Sequence, residues 1–204
     1  MVEHHAQDRQ TYIRESARRR FAYYGYSKVT MDEIAADAGM GKASLYYYFP
    51  TKELLFQAVI AHEQKQFVRD IEAILTARLP ADQQLRKYVK RRVALFRNFV
   101  NLSALGSQSL LDMKADFRHL FTKLERQELT MLRRIIEAGK RSGDFDVIAP
   151  QQAAELLLHV LHGLRLRTLR TVSSPRLDNA TYKSLEREMQ SLTEIFLNGI
   201  KKRT

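Results

Sequence analysis

Residues 39–52 read Gly-Met-Gly-Lys-Ala-Ser-Leu-Tyr-Tyr-Tyr-Phe-Pro-Thr-Lys, and this stretch decides how the N-terminal part of the chain folds. Glycines open it and a Pro-Thr pair lies near its end, so the residues between them predict a very short helix. A helix this short does not stand alone in water, so neighbouring helices must hold it. Its three consecutive tyrosines span about 200 degrees of the helix surface, so they cannot all be buried on one side.

Two further helices are predicted before this segment. Apolar residues recur at intervals of three and four over residues 8–24, which predicts an amphipathic helix that stops at Gly25; they are Ile13, Ala17, Phe21 and Tyr24. Residues 30–33, Thr-Met-Asp-Glu, have the pattern of a capping box, so a second helix begins there and ends at Gly39. Two short helices joined by a tight glycine turn predict a helix-turn-helix.

The last of these helices has a predicted core side and a predicted DNA side. Leu45 and Phe49 fall together at about 100 degrees per residue and must face the core. On the opposite side, small residues let the backbone approach a major groove and Tyr47 projects toward the bases, while the flanking tyrosines, two lysines and one threonine are placed for phosphates. The predicted DNA contacts are Thr30, Lys42, Ala43, Ser44, Tyr46, Tyr47, Tyr48 and Lys52.

Other interpretations of the same residues exist. Aromatic runs on short helices are often plain core, and each lysine taken alone could be an ordinary solvated side chain. Only the position of the lysines at helix starts within the motif favours phosphate contacts. A nucleotide-binding loop is excluded, because Ala36 and Ala43 occupy positions where that loop needs Gly and Ser or Thr.

The whole pattern resembles the DNA-binding motif of the TetR family of transcriptional repressors. The resemblance runs along residues 10–58 and is carried by Thr30, Ile34, Ala35, Ala38, Gly39, Lys42, Leu45, Tyr46, Phe49 and the Lys-Glu-Leu-Leu of residues 52–55. Gly41 departs from it, since many members have Ser or Thr there, and glycine caps a helix less well by a few tenths of a kcal/mol. The resemblance implies a helix-turn-helix head, residues 1–56, on a ligand-binding and dimerisation body, residues 57–204.

The composition of the body predicts an all-α fold. Leu, Ala, Arg, Glu and Gln are abundant, and no alternating β-branched run argues for a sheet. Periodicity and helix breakers predict helices over residues 51–78, 83–100, 107–113, 116–140, 150–170 and 178–201.

The resemblance also implies a homodimer and a ligand pocket. In the family the last two helices pack against their copies, and the residues expected at that interface are Leu156, Val160, Leu164, Leu185, Met189, Leu192 and Phe196, unless both stripes face only their own subunit. A two-fold dimer also lets two heads read a palindrome. The candidate pocket residues, each of which could equally be core, are Phe96, Phe99, Met113, Phe117, Phe121 and Met131.

The charge is unevenly distributed along the chain. The net charge is +11, but residues 1–56 hold eight Lys/Arg and seven Asp/Glu, so +10 lies in residues 57–204. A head that binds DNA must therefore do so by placing a few groups. The basic run of residues 86–97 is expected to be a solvated face, with binding of an anionic effector or of DNA as the alternative; its members are Arg86, Lys87, Lys90, Arg91, Arg92 and Arg97.

Several classes of protein are disfavoured. The lack of cysteine fits a reducing cytoplasm, the polar residues 1–10 do not resemble a signal peptide, and no apolar run is long enough for a bilayer. No catalytic constellation appears, so no enzyme and no cofactor are expected, and His159 with His162 lacks a third metal ligand.

The expected function is that of a cytoplasmic, ligand-responsive repressor. Its expected partners are a palindromic operator in double-stranded DNA, a second copy of itself and an unknown small-molecule effector, with no membrane. The rival is a non-specific architectural protein that exploits the positive charge. The sequence does not distinguish repression from activation.

Overall fold

The described part of the chain is almost entirely helical. The computed structural model describes residues 2–98, 115–170 and 177–202, with the side chains of residues 2–7, 96–98 and 115–121 outside the description. Within these ranges there are eight α-helices and no strand, so the predicted all-α fold is confirmed. The helices are α1 (Val2–Tyr24), α2 (Met31–Asp37), α3 (Lys42–Tyr48), α4 (Lys52–Thr76), α5 (Ala81–Asn98), α6 (Ala115–Ser142), α7 (Pro150–Arg170) and α8 (Asn179–Ile200).

Most helix ends lie close to the positions predicted from the sequence. Helix α7 has the predicted bounds, and Asp178 caps α8 by accepting the Thr181 amide proton at 2.7 Å. Helix α1 begins earlier than expected, because no glycine or proline interrupts its first residues. A 3₁₀ turn, Tyr26–Lys28, follows Gly25, whose φ of 82° suits glycine. The helix predicted over residues 107–113 lies outside the described residues.

The head packs α1, α2, α3 and the start of α4 around a small core. Phe21 of α1 meets Phe56 of α4 edge to face, with ring centroids 5.1 Å apart, and the ring of Tyr26 lies 4.7 Å from that of Phe56. Leu45 of α3 is fully buried in the same core. These contacts hold a seven-residue helix that has too few internal hydrogen bonds to persist alone.

Helix α4 belongs to the head and the body at once. Its first half buries Leu55 and Phe56, and its second half buries Phe67 and Ile71, within one continuous apolar core. It packs against α1 on one side and against α5 and α6 on the other. The boundary predicted between residues 56 and 57 therefore falls inside a single helix, and that division into domains stays a prediction.

The basic run on α5 is engaged in ion pairs. Arg86 donates from Nε and NH2 to the two carboxylate oxygens of Glu194 on α8, at 2.7 and 2.9 Å, and Arg91 pairs with Asp70 of α4. Arg92 is only 3% exposed. The expectation of a solvated face is wrong for Arg92, which is buried against Glu128, whereas the side chains of Arg86 and Arg91 are 38% exposed and form their ion pairs at the surface. Of the rest, Lys87 and Lys90 are exposed, and the side chain of Arg97 lies outside the description.

A buried polar cluster joins α5, α6 and α7. Glu128 Oε1 accepts hydrogen bonds from the Tyr88 hydroxyl at 2.8 Å and from Arg92 Nε at 2.7 Å, and His162 Nε2 lies 3.6 Å from Glu128 Oε2. Burial raises the pKa of the Glu128 carboxyl, but the charge of Arg92 and the contact with His162 outweigh burial and lower that pKa to about 2. Burial, together with the charge of Arg92, lowers the pKa of Arg165 to about 10.

The loop between α6 and α7 is fastened to the end of α8. The Asp146 amide donates to the Ile200 carbonyl at 2.7 Å, and the Lys202 amide donates to the Asp144 carbonyl at 3.1 Å. The ring of Phe145 packs so closely on Gly139 that a Cβ added there would lie 2.2 Å from the ring. Glycine is therefore required at the end of α6.

No helix within the described ranges combines the length and the apolar character needed to cross a membrane.

Candidate nucleic-acid interface

Helix α3 has one buried face and one exposed face. Leu45 is fully buried, whereas Ala43 and Ser44 are exposed at the start of the helix. The tyrosines differ in exposure, because Tyr47 is 83% exposed and Tyr46 39%. The helix therefore presents small side chains and Tyr47 outward while it is anchored from behind.

Tyr48 is shared between the two faces. Its side chain is half-buried and packs against the core, and its ring meets that of Tyr47 edge to face at 5.2 Å. Phe49 is also half-buried against the core, as its position predicted. Tyr48 therefore supports the orientation of Tyr47 as well as bordering the exposed face.

The turn between α2 and α3 depends on glycine. Gly39 has a φ of 60°, a left-handed conformation that glycine adopts without a steric penalty. The Met40 amide donates to the Ala35 carbonyl at 3.0 Å, which closes the end of α2. Gly41 precedes α3 and supplies no side-chain cap, as its departure from the family pattern predicted.

Thr30 forms the predicted capping box at the start of α2. The Glu33 amide donates to Thr30 Oγ1 at 3.3 Å, and the Thr30 amide donates to Glu33 Oε2 at 2.8 Å. The Thr30 hydroxyl also donates to Glu33 Oε2, at 2.9 Å. These hydrogen bonds with Thr30 lower the pKa of the Glu33 carboxyl. The amide and hydroxyl that were expected to meet a phosphate are thus engaged within the head.

Lys52 is directed into the head. Its ammonium donates to the carbonyls of Val29 and Tyr26, at 3.0 and 3.2 Å, and lies 4.5 Å from the centre of the Tyr26 ring. These acceptors were not foreseen, because Tyr26 opens a 3₁₀ turn that the sequence pattern did not reveal and Val29 directly follows that turn. Lys52 therefore joins the start of α4 to the turn that precedes α2.

Lys42, at the start of α3, is exposed but paired. Its Nζ lies 2.8 Å from Asp32 Oδ1, and both side chains are 60% exposed. The hydrogen bond with Asp32 raises the pKa of Lys42. The ammonium also lies 5.9 Å from the centre of the Tyr46 ring. Asp32 was not foreseen as a neighbour of this site, although it stands within the capping-box segment.

Comparison with known proteins identifies the family. Residues 13–59 match the family model described as bacterial regulatory proteins, tetR family. A solved transcriptional regulator from Cytophaga hutchinsonii is 39% identical to this chain, with a TM-score of 0.83 and coverage of 93% of this chain and 97% of that one. The chain belongs to the TetR family.

Two curated relatives of this TetR-family protein are also transcriptional regulators. EthR of Mycolicibacterium smegmatis is 24% identical over 95% of this chain and 86% of its own length. YhgD of Bacillus subtilis, an uncharacterized HTH-type transcriptional regulator, is 25% identical over 74% of this chain and 79% of its own length. This TetR-family protein is a DNA-binding transcriptional regulator.

The last two helices of this TetR-family protein leave an apolar surface exposed. Leu156 is 62% exposed, Val160 37% and Ile195 69%. Val160 and Ile195, together with Leu164 and Leu192, line an open groove between α7 and α8. Leu164, Leu192 and Phe196 are half-buried and pack against the core of their own chain. Ile195 was absent from the predicted interface.

Two residues predicted at the dimer interface lie in the core of their own chain. Leu185 and Met189 are 2% and 0% exposed, so they have no surface to offer a second subunit. The buried stripe of α8 continues through Thr193, whose hydroxyl donates to the Met189 carbonyl at 2.7 Å. Because its hydroxyl is hydrogen-bonded within the helix, Thr193 can lie on the buried face of α8. The exposed apolar side chain of this part of α8 is therefore Ile195.

The predicted ligand pocket is described only in part. Met131 is buried at 5% exposure. Phe99 and Met113 lie outside the described residues, and so do the side chains of Phe96, Phe117 and Phe121. Among described residues no group of three His, Cys, Asp or Glu side chains could hold a metal ion; His159 is exposed and His162 lies beside Glu125 and Glu128.

Proposed function

We propose that this TetR-family regulator is a homodimeric repressor that holds a palindromic operator and releases it when a small-molecule effector binds the body. The observation that carries the proposal is the exposed face of α3. Ala43, Ser44 and Tyr47 are open to solvent while Leu45 anchors the helix, so these three side chains are accessible to a partner. Small residues beside a projecting tyrosine fit the edge of a major groove.

The DNA-facing residues divide into two roles in this proposal. Tyr47, with Ala43 and Ser44, meets the base edges, and Tyr46 and Lys42 meet phosphates from the sides of the helix. Tyr48, half-buried behind Tyr47, borders the phosphate side. Thr30 and Lys52 position α2 and α4 through their internal hydrogen bonds, and so act on DNA through the orientation of α3.

The test is selection of bound sequences from a pool of random duplexes, followed by affinity measurements. We expect a palindromic consensus, and we expect Tyr47→Ala to lose most of the preference for it over random duplex, since base contacts carry discrimination. Tyr23→Ala is the matched control, because Tyr23 of α1 is also an exposed tyrosine, at 65%. Equal affinity of the wild-type protein for the consensus and for random duplex would instead favour the non-specific architectural protein.

The exposed groove between α7 and α8 supports the dimer. Leu156, Val160 and Ile195 form an apolar surface on two adjacent helices, which is the kind of surface that a second subunit covers. Two heads related by a two-fold axis would match a palindrome.

The course of α4 supports release by an effector. Because α4 is buried in the head through Phe56 and in the body through Phe67 and Ile71, a change in the body moves the head with it. A ligand that fits only the conformation with separated heads would lower DNA affinity by the difference in its affinities for the two conformations.

A further inference from the structure

The helix-turn-helix segment has an unusual charge for a DNA-binding surface. Residues 30–48 hold three carboxylates and a single lysine, a net charge of −2. DNA is a polyanion, and phosphate contacts by Lys and Arg supply most of the sequence-independent affinity. Each carboxylate near the interface therefore either is neutralised within the protein or opposes binding.

Two of the three carboxylates share one arginine of α1 as their ion-pair partner. Arg20 NH1 lies 3.0 Å from Glu33 Oε1, and Arg20 Nε donates to Asp37 Oδ2 at 2.5 Å. Glu33 is also the partner of Thr30 in the capping box. These two carboxylates have structural roles that need no DNA.

The third carboxylate, Asp32, is paired across the helix-turn-helix. It stands in the first turn of α2 and holds the ammonium of Lys42, the first residue of α3, at 2.8 Å. Lys42 is followed directly by Ala43 and Ser44, which open the exposed face of α3. Asp32 therefore forms an ion pair with Lys42, which lies at the edge of the exposed face of α3.

We propose that Asp32 competes with DNA phosphate for Lys42, and that it thereby sets the affinity of the head for every duplex. The proposal rests on the phosphate contact of Lys42 in the proposed function. On DNA, Lys42 exchanges a carboxylate for a phosphate, and Asp32 is left beside the polyanion. An exposed ion pair is weak, so phosphate displaces Asp32 from Lys42 readily. The loss of this ion pair still reduces the net gain in DNA affinity that the phosphate contact provides.

The test is Asp32→Asn, measured by fluorescence anisotropy with the selected consensus and with random duplex at about 0.1 M salt. We expect affinity to rise about two- to fivefold for both duplexes alike, because a phosphate contact carries no sequence information. The plot of log affinity against log salt should steepen by up to about 0.9. In the wild type, Asp32 takes up a cation once it is displaced from Lys42, and Asn in its place does not. Asp32→Glu, which keeps the charge, should retain the wild-type affinity.

A double-mutant cycle with Lys42→Gln separates competition for Lys42 from general repulsion. The gain from Asp32→Asn should shrink in the Lys42→Gln background, where there is no ammonium to release. Asp146→Asn is the matched control, because it removes one exposed carboxylate from the body, and it should change affinity little.

Three results would overturn the proposal: equal gains in both Lys42 backgrounds, a gain confined to the consensus, or no gain at all. Its failure is distinguishable from failure of the proposed function, because the gain is measured on random duplex as well. A wild-type protein without any sequence preference contradicts the operator proposal but leaves the competition at Lys42 measurable.

Discussion

At the scale of single residues, several charged side chains form hydrogen bonds and ion pairs within the chain. Lys52 donates two hydrogen bonds to carbonyls of the 3₁₀ turn and of the residue that follows it, and Arg92 and Glu128 meet in the core of the body. A buried ion pair adds little stability compared with an apolar pair, but loss of one partner leaves a buried charge uncompensated. The pair Arg92–Glu128 is therefore a point at which a single substitution has a large effect.

Glu128→Gln tests this point. We expect the free energy of unfolding to fall by about 3–5 kcal/mol at neutral pH, because the carboxylate that compensates Arg92 is removed. The pKa of Glu128 is about 2 in the folded chain against an ordinary 4.5, so its stabilisation is complete above pH 4.5 and is lost as the pH falls toward 2. Urea unfolding at neutral and acidic pH measures both effects.

The difference between wild type and Glu128→Gln should therefore narrow as the pH falls below 4.5. Glu125→Gln is the control, since Glu125 lies on the same helix with its side chain 48% exposed, and it should change stability by less than about 1 kcal/mol. A difference that is constant down to pH 3 would show that Glu128 does not stabilise the fold through its charge.

At the scale of elements, α4 is the helix that packs in both the head and the body. The helix runs without a break from Lys52 to Thr76 and is buried against both halves of the chain. A rigid helix with both ends packed transmits displacement rather than absorbing it. In the proposed mechanism, release of DNA by an effector requires that α4 change its angle relative to its copy in the second subunit.

A crosslink between the two heads tests this requirement. The chain contains no cysteine, so one cysteine introduced in each head gives a single defined attachment point for a bifunctional maleimide spacer with an internal disulfide, which can span the two heads and is cleaved on reduction. The test compound is the strongest stabiliser of the wild-type protein in a thermal-shift screen of metabolites. We expect it to release operator DNA from the protein with the reduced spacer and not from the protein with the intact spacer. Equal release from both forms would contradict a mechanism based on head separation.

At the scale of the whole molecule, the exposed apolar surface at the α7–α8 groove is the proposed dimer interface. Ile195 lines this groove, is 69% exposed and was not among the residues predicted at the interface. An exposed apolar surface on two parallel stripes loses water contact when a second copy covers it. The proposed dimer interface therefore includes a residue that periodicity alone assigned to neither stripe.

We expect Ile195→Asp to shift the protein from dimer to monomer in sedimentation velocity, because it places a charge in the centre of an apolar interface. Operator affinity should fall with it, since one head reads only half a palindrome. Ile148→Asp is the matched control: Ile148 is 96% exposed in the loop between α6 and α7 and lies away from the groove. An unchanged mass for Ile195→Asp would assign the interface to another surface.

The features that were predicted from sequence are those whose partners are close along the chain. The capping box of Thr30 and Glu33 joins residues three apart, and the faces of α3 follow from helical periodicity alone. The contacts of Lys52 with carbonyls 23 and 26 residues earlier depend on how helices meet, which periodicity does not contain. The assignment of Met189 to the interface was wrong for the same reason. Periodicity does not distinguish an apolar stripe that packs in the core of its own chain from one that packs against a second subunit.

The fastening of the α6–α7 loop to the end of α8 has a consequence for amide exchange. Amide hydrogens at helix ends usually exchange fast with solvent, because the last turn frays. Here the amides of Asp146 and Lys202 are both held by carbonyls across the two segments. Deuterium uptake at these two positions therefore reports one opening event, in which the last turn of α8 and the loop that carries Phe145 detach together.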